Sequence, residues 1–178
     1  MTAACAAWRR GPHNAGMPTD SPPSPDTTAA PRGLRYAEVC RGDRYRRSLS
    51  ITPQHLDDGA RLIGDFNPLH VDEDFARASR FGGRILHGVI TSALMGAELG
   101  MVFSGTALGY LQHDARFLAP VRIGDRLDIT WTVVALEDKP RQRGGIVSCD
   151  GEALNQRGER VCVAHGRMLV GAGAARAS

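Results

Sequence analysis

Two segments of this chain bring together residue types that can move protons. Asp65 and His70 lie in the run Gly64-Asp65-Phe66-Asn67-Pro68-Leu69-His70, and a second histidine follows in Gly82-Gly83-Arg84-Ile85-Leu86-His87-Gly88. A carboxylate and an imidazole are the pair on which general acid–base chemistry draws. Pro68 fixes its own φ and biases Asn67 toward extended backbone, so the short span is restrained and both side chains can face one cavity. His87-Gly88 opens a long apolar segment. At a helix start, backbone N–H groups lack intrahelical partners and favour developing negative charge. Taken singly, Asp65 and Asn67 read as turn residues and His87 as a capping or core histidine. Their combination reads as a catalytic site.

The elements that must position these residues are legible around them. A strand is predicted from Arg44 to Ile51. Thr52 then caps a helix with Pro53 in its first turn, and Leu56, Ala60 and Ile63 form its apolar stripe. Gly64 ends that helix and delivers Asp65 into a loop. A short helix is expected over 72–79, then a glycine turn at Gly82-Gly83. A long helix follows from about Gly88 to Gly100, apolar on nearly every side and therefore wrapped by other structure. Beyond Thr106 the pattern predicts a meander of four strands over 110–118, 127–136, 146–154 and 160–170, each bounded by glycine or proline turns. A long helix followed by such strands is an α+β arrangement, an antiparallel sheet around one helix.

Bulk properties narrow the function classes. The 178 residues suit one domain, and 42% hydrophobic with 23% charged residues is a soluble, core-forming composition. Residues 1–50 hold eight arginines against four acids, +4, and the remainder fourteen bases against fifteen acids, −1. The folded part is thus nearly neutral, which argues against nucleic-acid binding. No apolar run reaches the roughly 20 residues of a membrane span; the nearest, 85–103, is interrupted by His87 and Glu98. Cys5, Cys40, Cys149 and Cys162 form no CxxC pair, as expected of reduced thiols in a cytoplasmic protein. Residues 1–33, rich in Ala, Pro, Ser and Gly, read as a disordered tail with Met17 as a second candidate start, residues 34–172 as a single domain and 173–178 as a tail.

The two segments resemble the signature of the MaoC-like, (R)-specific enoyl-CoA hydratase family. Residues 64–70 match its Gly-Asp-x-Asn-Pro-hydrophobic-His pattern at every position, and His87-Gly88 matches its second element. The resemblance extends over roughly Arg47 to Val170 and implies a hot-dog fold. It implies that Asp65 and His70 hold and activate one water, which adds to C3 of a trans-2-enoyl thioester to give the (R)-3-hydroxyacyl product. It further implies that the Gly88 N–H binds the thioester carbonyl and that Asn67, Pro68, His87 and Gly83 fix the surrounding loops. Some family members carry a helix serine that positions the acid; by spacing, Gly96 stands there in this chain, with Thr91 and Ser92 one turn earlier.

No cofactor is implied; acyl-CoA or an acyl-carrier-protein thioester is the substrate, and a homodimer with sheets joined edge to edge is expected. Arg84, Arg116 and Arg122 are available for phosphates but read first as surface arginines. His55, His113 and His165 are isolated. Asp65, His70 and His87 could hold a metal, although the resemblance points to metal-free catalysis. The competing readings are a hot-dog thioesterase, using an acid to activate water against the thioester carbonyl, and a non-catalytic acyl-thioester-binding subunit.

Overall fold

Cap chemistry and alternating burial set the elements. The structure, a computed structural model, describes residues 33–172. The tails expected at 1–33 and 173–178 therefore fall, except for Gly33, outside the described residues. In chain order the elements are β1 (Arg44–Ser50), α1 (Pro53–Ile63), α2 (Pro68–Val71), α3 (Glu73–Ala78), α4 (Gly88–Val102), β2 (Ala107–Phe117), β3 (Arg126–Lys139), β4 (Gly144–Leu154) and β5 (Arg160–Gly171).

The strands form one antiparallel sheet in the order β1-β3-β4-β5-β2. The expected meander of four is only three strands long, β3-β4-β5. β2 lies instead at the far edge, where Phe117 pairs with Cys162 and Ala107 with Val170. Burial explains the order. β3 lies inside the sheet, with Leu127, Ile129, Trp131 and Val133 turned inward and fully buried, whereas β2 exposes Leu108, Leu111 and Phe117. The sheet cups α4, the hot-dog arrangement.

α4 is not wrapped on all sides. Thr91, Met95 and Leu99, at i, i+4 and i+8, are buried, while Val89 and Met101 are each 57% exposed. The sheet covers one face of the helix, and its apolar character all round has no counterpart within the described residues. Glu98, the charge inside this helix, is paired with Arg47 of β1 at 3.5 Å. In α1, Leu56 and Ala60 are buried as expected, but Ile63 in the last turn is 41% exposed. His55 serves that helix: its Nδ1 accepts from the Thr52 N–H at 3.1 Å.

Cys149 and Cys162 are buried free thiols and Cys40 an exposed one. Burial pushes the Cys149 thiol up to about 12 and the Cys162 thiol up as well. Of these three, only Cys40 should react promptly with a thiol reagent at pH 8, the other two only on unfolding. Fast labelling of Cys149 in the native protein would contradict this packing. Since Cys149 ionises at lower pH when unfolded, its contribution to stability is full below about 9 and falls as pH rises toward 12.

Candidate active site

Gly64 closes α1 in the left-handed region, φ +73°, which a side chain would disfavour, and its N–H bonds the Ala60 carbonyl. The chain then turns on its own side chains. Asp65 Oδ1 accepts from the Asn67 N–H at 3.1 Å, and Asn67 Oδ1 accepts from the Leu69 N–H at 3.1 Å, which caps α2 with Pro68 at its first position. This one-turn helix carries His70. Asn67 thus has a defined mechanical part: one residue links the loop of Asp65 to the helix of His70.

His70 is half-buried, and its Nδ1 lies 2.8 Å from the Ile85 carbonyl. A carbonyl only accepts, so Nδ1 carries the proton in this contact and the neutral ring keeps its lone pair on Nε2. The same reasoning applies to His87, which is 1% exposed. Its Nε2 lies 2.9 Å from the Asp65 main-chain carbonyl and donates to it. The His87 ring stacks on His70 with centroids 3.7 Å apart and planes 27° apart. One atom from each of Asp65, His70 and His87 lies within 4.8 Å of the others, so the fold gathers residues spread over 23 positions.

Gly88 begins α4. The Ile90 and Thr91 N–H groups return to the His87 carbonyl, and the Gly88 N–H has no intrahelical partner, as a first-turn donor cannot. Gly88 borders a cavity of about 290 Å³ together with Thr91, Phe117 and Leu118. A Cβ on Gly88 would stand 3.2 Å from the Phe117 ring, so the glycine keeps that approach open.

Not every expected residue joins this group. Gly83 lies in the turn before β-bridge residue Ile85, and a Cβ there would meet only Glu73 Oε1, at 3.9 Å. Arg84 is spent within the fold: it bonds Asp57 of α1 at 2.9 Å and the His70 carbonyl at 3.4 Å, and meets Glu73 of α3 at 3.6 Å. It braces three helices around Asp65 and His70, a role no local pattern signals. Arg122 bonds the Phe81 carbonyl. Arg116 lines a cavity on the outer face of the sheet, and His165 there pairs with Asp150 at 2.7 Å.

The model of the MaoC-like domain matches residues 41–150 of this chain. The chain belongs to the MaoC-like family. A 3-hydroxybutyryl-CoA dehydratase of Methylorubrum extorquens is 39% identical over 103 residues, 53% of this chain and 66% of that protein. An (R)-specific enoyl-CoA hydratase of Aeromonas caviae is 36% identical over 122 residues, 64% of this chain and 91% of that one. Among solved structures, an R-hydratase from Pseudomonas aeruginosa superposes with a TM-score of 0.70 at 30% identity, covering 78% of this chain and 86% of the other.

Within this MaoC-like domain the strap from His87 to the Asp65 carbonyl predicts that His87→Phe, which keeps a stacked ring and loses the donor, frees the loop that carries Asp65. Amide hydrogen exchange at Asn67 and Leu69 should then quicken by about tenfold. Unchanged exchange would mean the loop holds without the strap.

Proposed function

We propose that the protein catalyses the reversible hydration of trans-2-enoyl thioesters to (R)-3-hydroxyacyl thioesters, with Asp65 and His70 as the catalytic dyad and the Gly88 N–H as oxyanion donor. The observation that carries this reading is the gathering of Asp65, His70 and His87 to within 4.8 Å of one another, with Gly88, whose first-turn N–H has no partner within α4, next in sequence to His87. A carboxylate and an imidazole lone pair are both acceptors. A water donating one hydrogen to each turns an oxygen lone pair outward. That oxygen forms the bond to C3, the C2–C3 π pair moves to the thioester oxygen as an enolate, and the Gly88 N–H holds the charge. One water proton passes to the dyad and the dyad returns a proton to C2, so water is added with no net change in the protein.

The same geometry favours proton transfer over metal chemistry. The His70 and His87 rings are stacked nearly parallel, 3.7 Å apart, and an ion bound at about 2.1 Å cannot lie in both ring planes. The dehydratase and the enoyl-CoA hydratase named above support an acyl-CoA thioester as the substrate class. We further propose that the chain works as a homodimer. Among the described residues the outer side of β2 is an unpaired sheet edge with Leu108, Leu111 and Phe117 exposed, and one face of α4 is uncovered. Residues 34–172 are taken as the catalytic domain. No helix among the described residues is long and apolar enough to cross a membrane. The site of action we propose is the cytoplasm.

The test is crotonyl-CoA followed by loss of enoyl-thioester absorbance, with chiral analysis of product and a free-thiol assay. The proposal predicts (R)-3-hydroxybutyryl-CoA and no free CoA. Release of free CoA would replace it with a thioesterase.

A further inference from the structure

A second polar cluster lies along the groove between α4 and β2, outside the dyad. Gly88, Ser92 and Gly96 stand at i, i+4 and i+8 and share one helix face. β2 follows that face: Phe117 lies beside Gly88 and Tyr110 beside Gly96, 3.2 and 3.3 Å from where a Cβ would stand. At the Gly96 end the groove opens into a cavity of about 430 Å³ bordered by Val89, Ser92, Gly96, Tyr110 and His113. Gly166 of β5 makes matching room from the sheet side, with Tyr110 Oη 3.2 Å from the Cβ it lacks.

Ser92 Oγ lies 2.7 Å from His113 Nε2, and Tyr110 Oη lies 2.5 Å from His113 Nδ1. Burial holds the His113 imidazole below its ordinary range, with Asp114 opposing more weakly. Burial also pushes the Tyr110 hydroxyl up to about 12, because that end of the side chain reaches under the helix although the residue is 40% exposed. All three groups are therefore neutral near pH 7. A neutral imidazole donates from one nitrogen and accepts at the other. In either tautomer one hydroxyl gives its proton to the ring and the other receives one from it. One O–H of the chain is always left unspent, and among the described residues neither hydroxyl has a further side-chain partner.

We propose that the Ser92–His113–Tyr110 chain selects the acyl group by donating this remaining hydrogen bond to an acceptor oxygen on it, so that the substrates are oxygen-bearing acyl thioesters. The proposal deepens the hydratase reading and rests on it for the placement of the thioester at Gly88. Ser92 lies four residues along the helix, an axial rise of about 6 Å, level with about the fifth or sixth carbon of an extended acyl chain. A tautomer flip at His113 moves the free donor from Ser92 to Tyr110, so the chain serves an oxygen at either depth.

The test compares dissociation constants of the full-length protein for heptanoyl-CoA and its ether isostere, in which oxygen replaces the sixth carbon. Calorimetry on wild type and on Ser92→Ala/Tyr110→Phe gives the ratio of the two affinities. The ratio in favour of the ether should fall about tenfold in the double variant, the loss of one neutral hydrogen bond, while size-exclusion chromatography shows the same oligomeric state. An unchanged ratio, no binding of either thioester, or an altered oligomer in the variant would overturn the assignment. Crotonyl-CoA turnover measured alongside separates the two readings. A tenfold shift without hydration would sink the hydratase and leave the acyl site standing.

Discussion

Asp65→Asn is expected to lower turnover of crotonyl-CoA by about 10³-fold while leaving the fold intact. The substitution keeps an oxygen at Oδ1, where the Asn67 N–H donates at 3.1 Å, so the turn that delivers the residue survives. The Asp65 main-chain carbonyl still receives the His87 Nε2–H. What changes is the second oxygen, an acceptor in the carboxylate and a donor in the amide. Water then has one acceptor instead of two, and the basic oxygen able to share its proton is gone. The Gly88 N–H, the proposed oxyanion donor, remains and is expected to support residual activity. The thermal midpoint, set by packing the variant does not touch, should stay within about 2 °C of wild type. Turnover within about threefold of wild type would remove Asp65 from the chemistry.

The largest stability effect is expected at Trp131. This indole is fully buried in β3 and its Nε1–H donates to the Met95 carbonyl of α4 at 2.9 Å, a direct tie between sheet and helix. Two glycines make room for it: a Cβ on Gly151 would stand 2.7 Å from the ring, and one on Gly166 3.4 Å from it. With glycine facing the ring from both β4 and β5, no side chain at either position can swing in to fill the space. Trp131→Ala should therefore cost about 3–5 kcal/mol, measured as a shift of the denaturation midpoint at fixed protein concentration. Trp131→Phe keeps most of the volume and loses the hydrogen bond, for about 1–2 kcal/mol. An alanine variant within about 1 kcal/mol of wild type would mean that α4 docks by other contacts.

The residues that carry the proposed chemistry were visible in the sequence because their restraints are local. Gly64, Asn67 and Pro68 each act on the adjacent turn, and the structure uses them so: as helix stop, cap and first helical residue. The strands at 127–136, 146–154 and 160–170 are legible from the glycine and proline turns that bound them, and the long helix from its apolar run. The structure extends that helix to Val102.

Sheet order was not legible, because any of several strands could take β2 as a neighbour and only the packing over α4 decides. α2 has no periodic signature, since four residues are too few to show one; its helical turn is imposed by the Asn67 cap and Pro68. The His87 strap had no signature either. It ends on a main-chain carbonyl, which every residue type offers at position 65. His113 is isolated in the sequence for a related reason: Ser92 is 21 residues away and becomes its partner only when β2 lies along α4.

The most direct test of the central claim is a double-mutant cycle on crotonyl-CoA with Asp65→Asn, His70→Gln and the two combined. If both side chains hold one water, removing either abolishes the arrangement. The double variant should then be no slower than the slower single variant, within about threefold. Losses that multiply, or a single variant with near wild-type turnover, would contradict a shared water and separate the two residues.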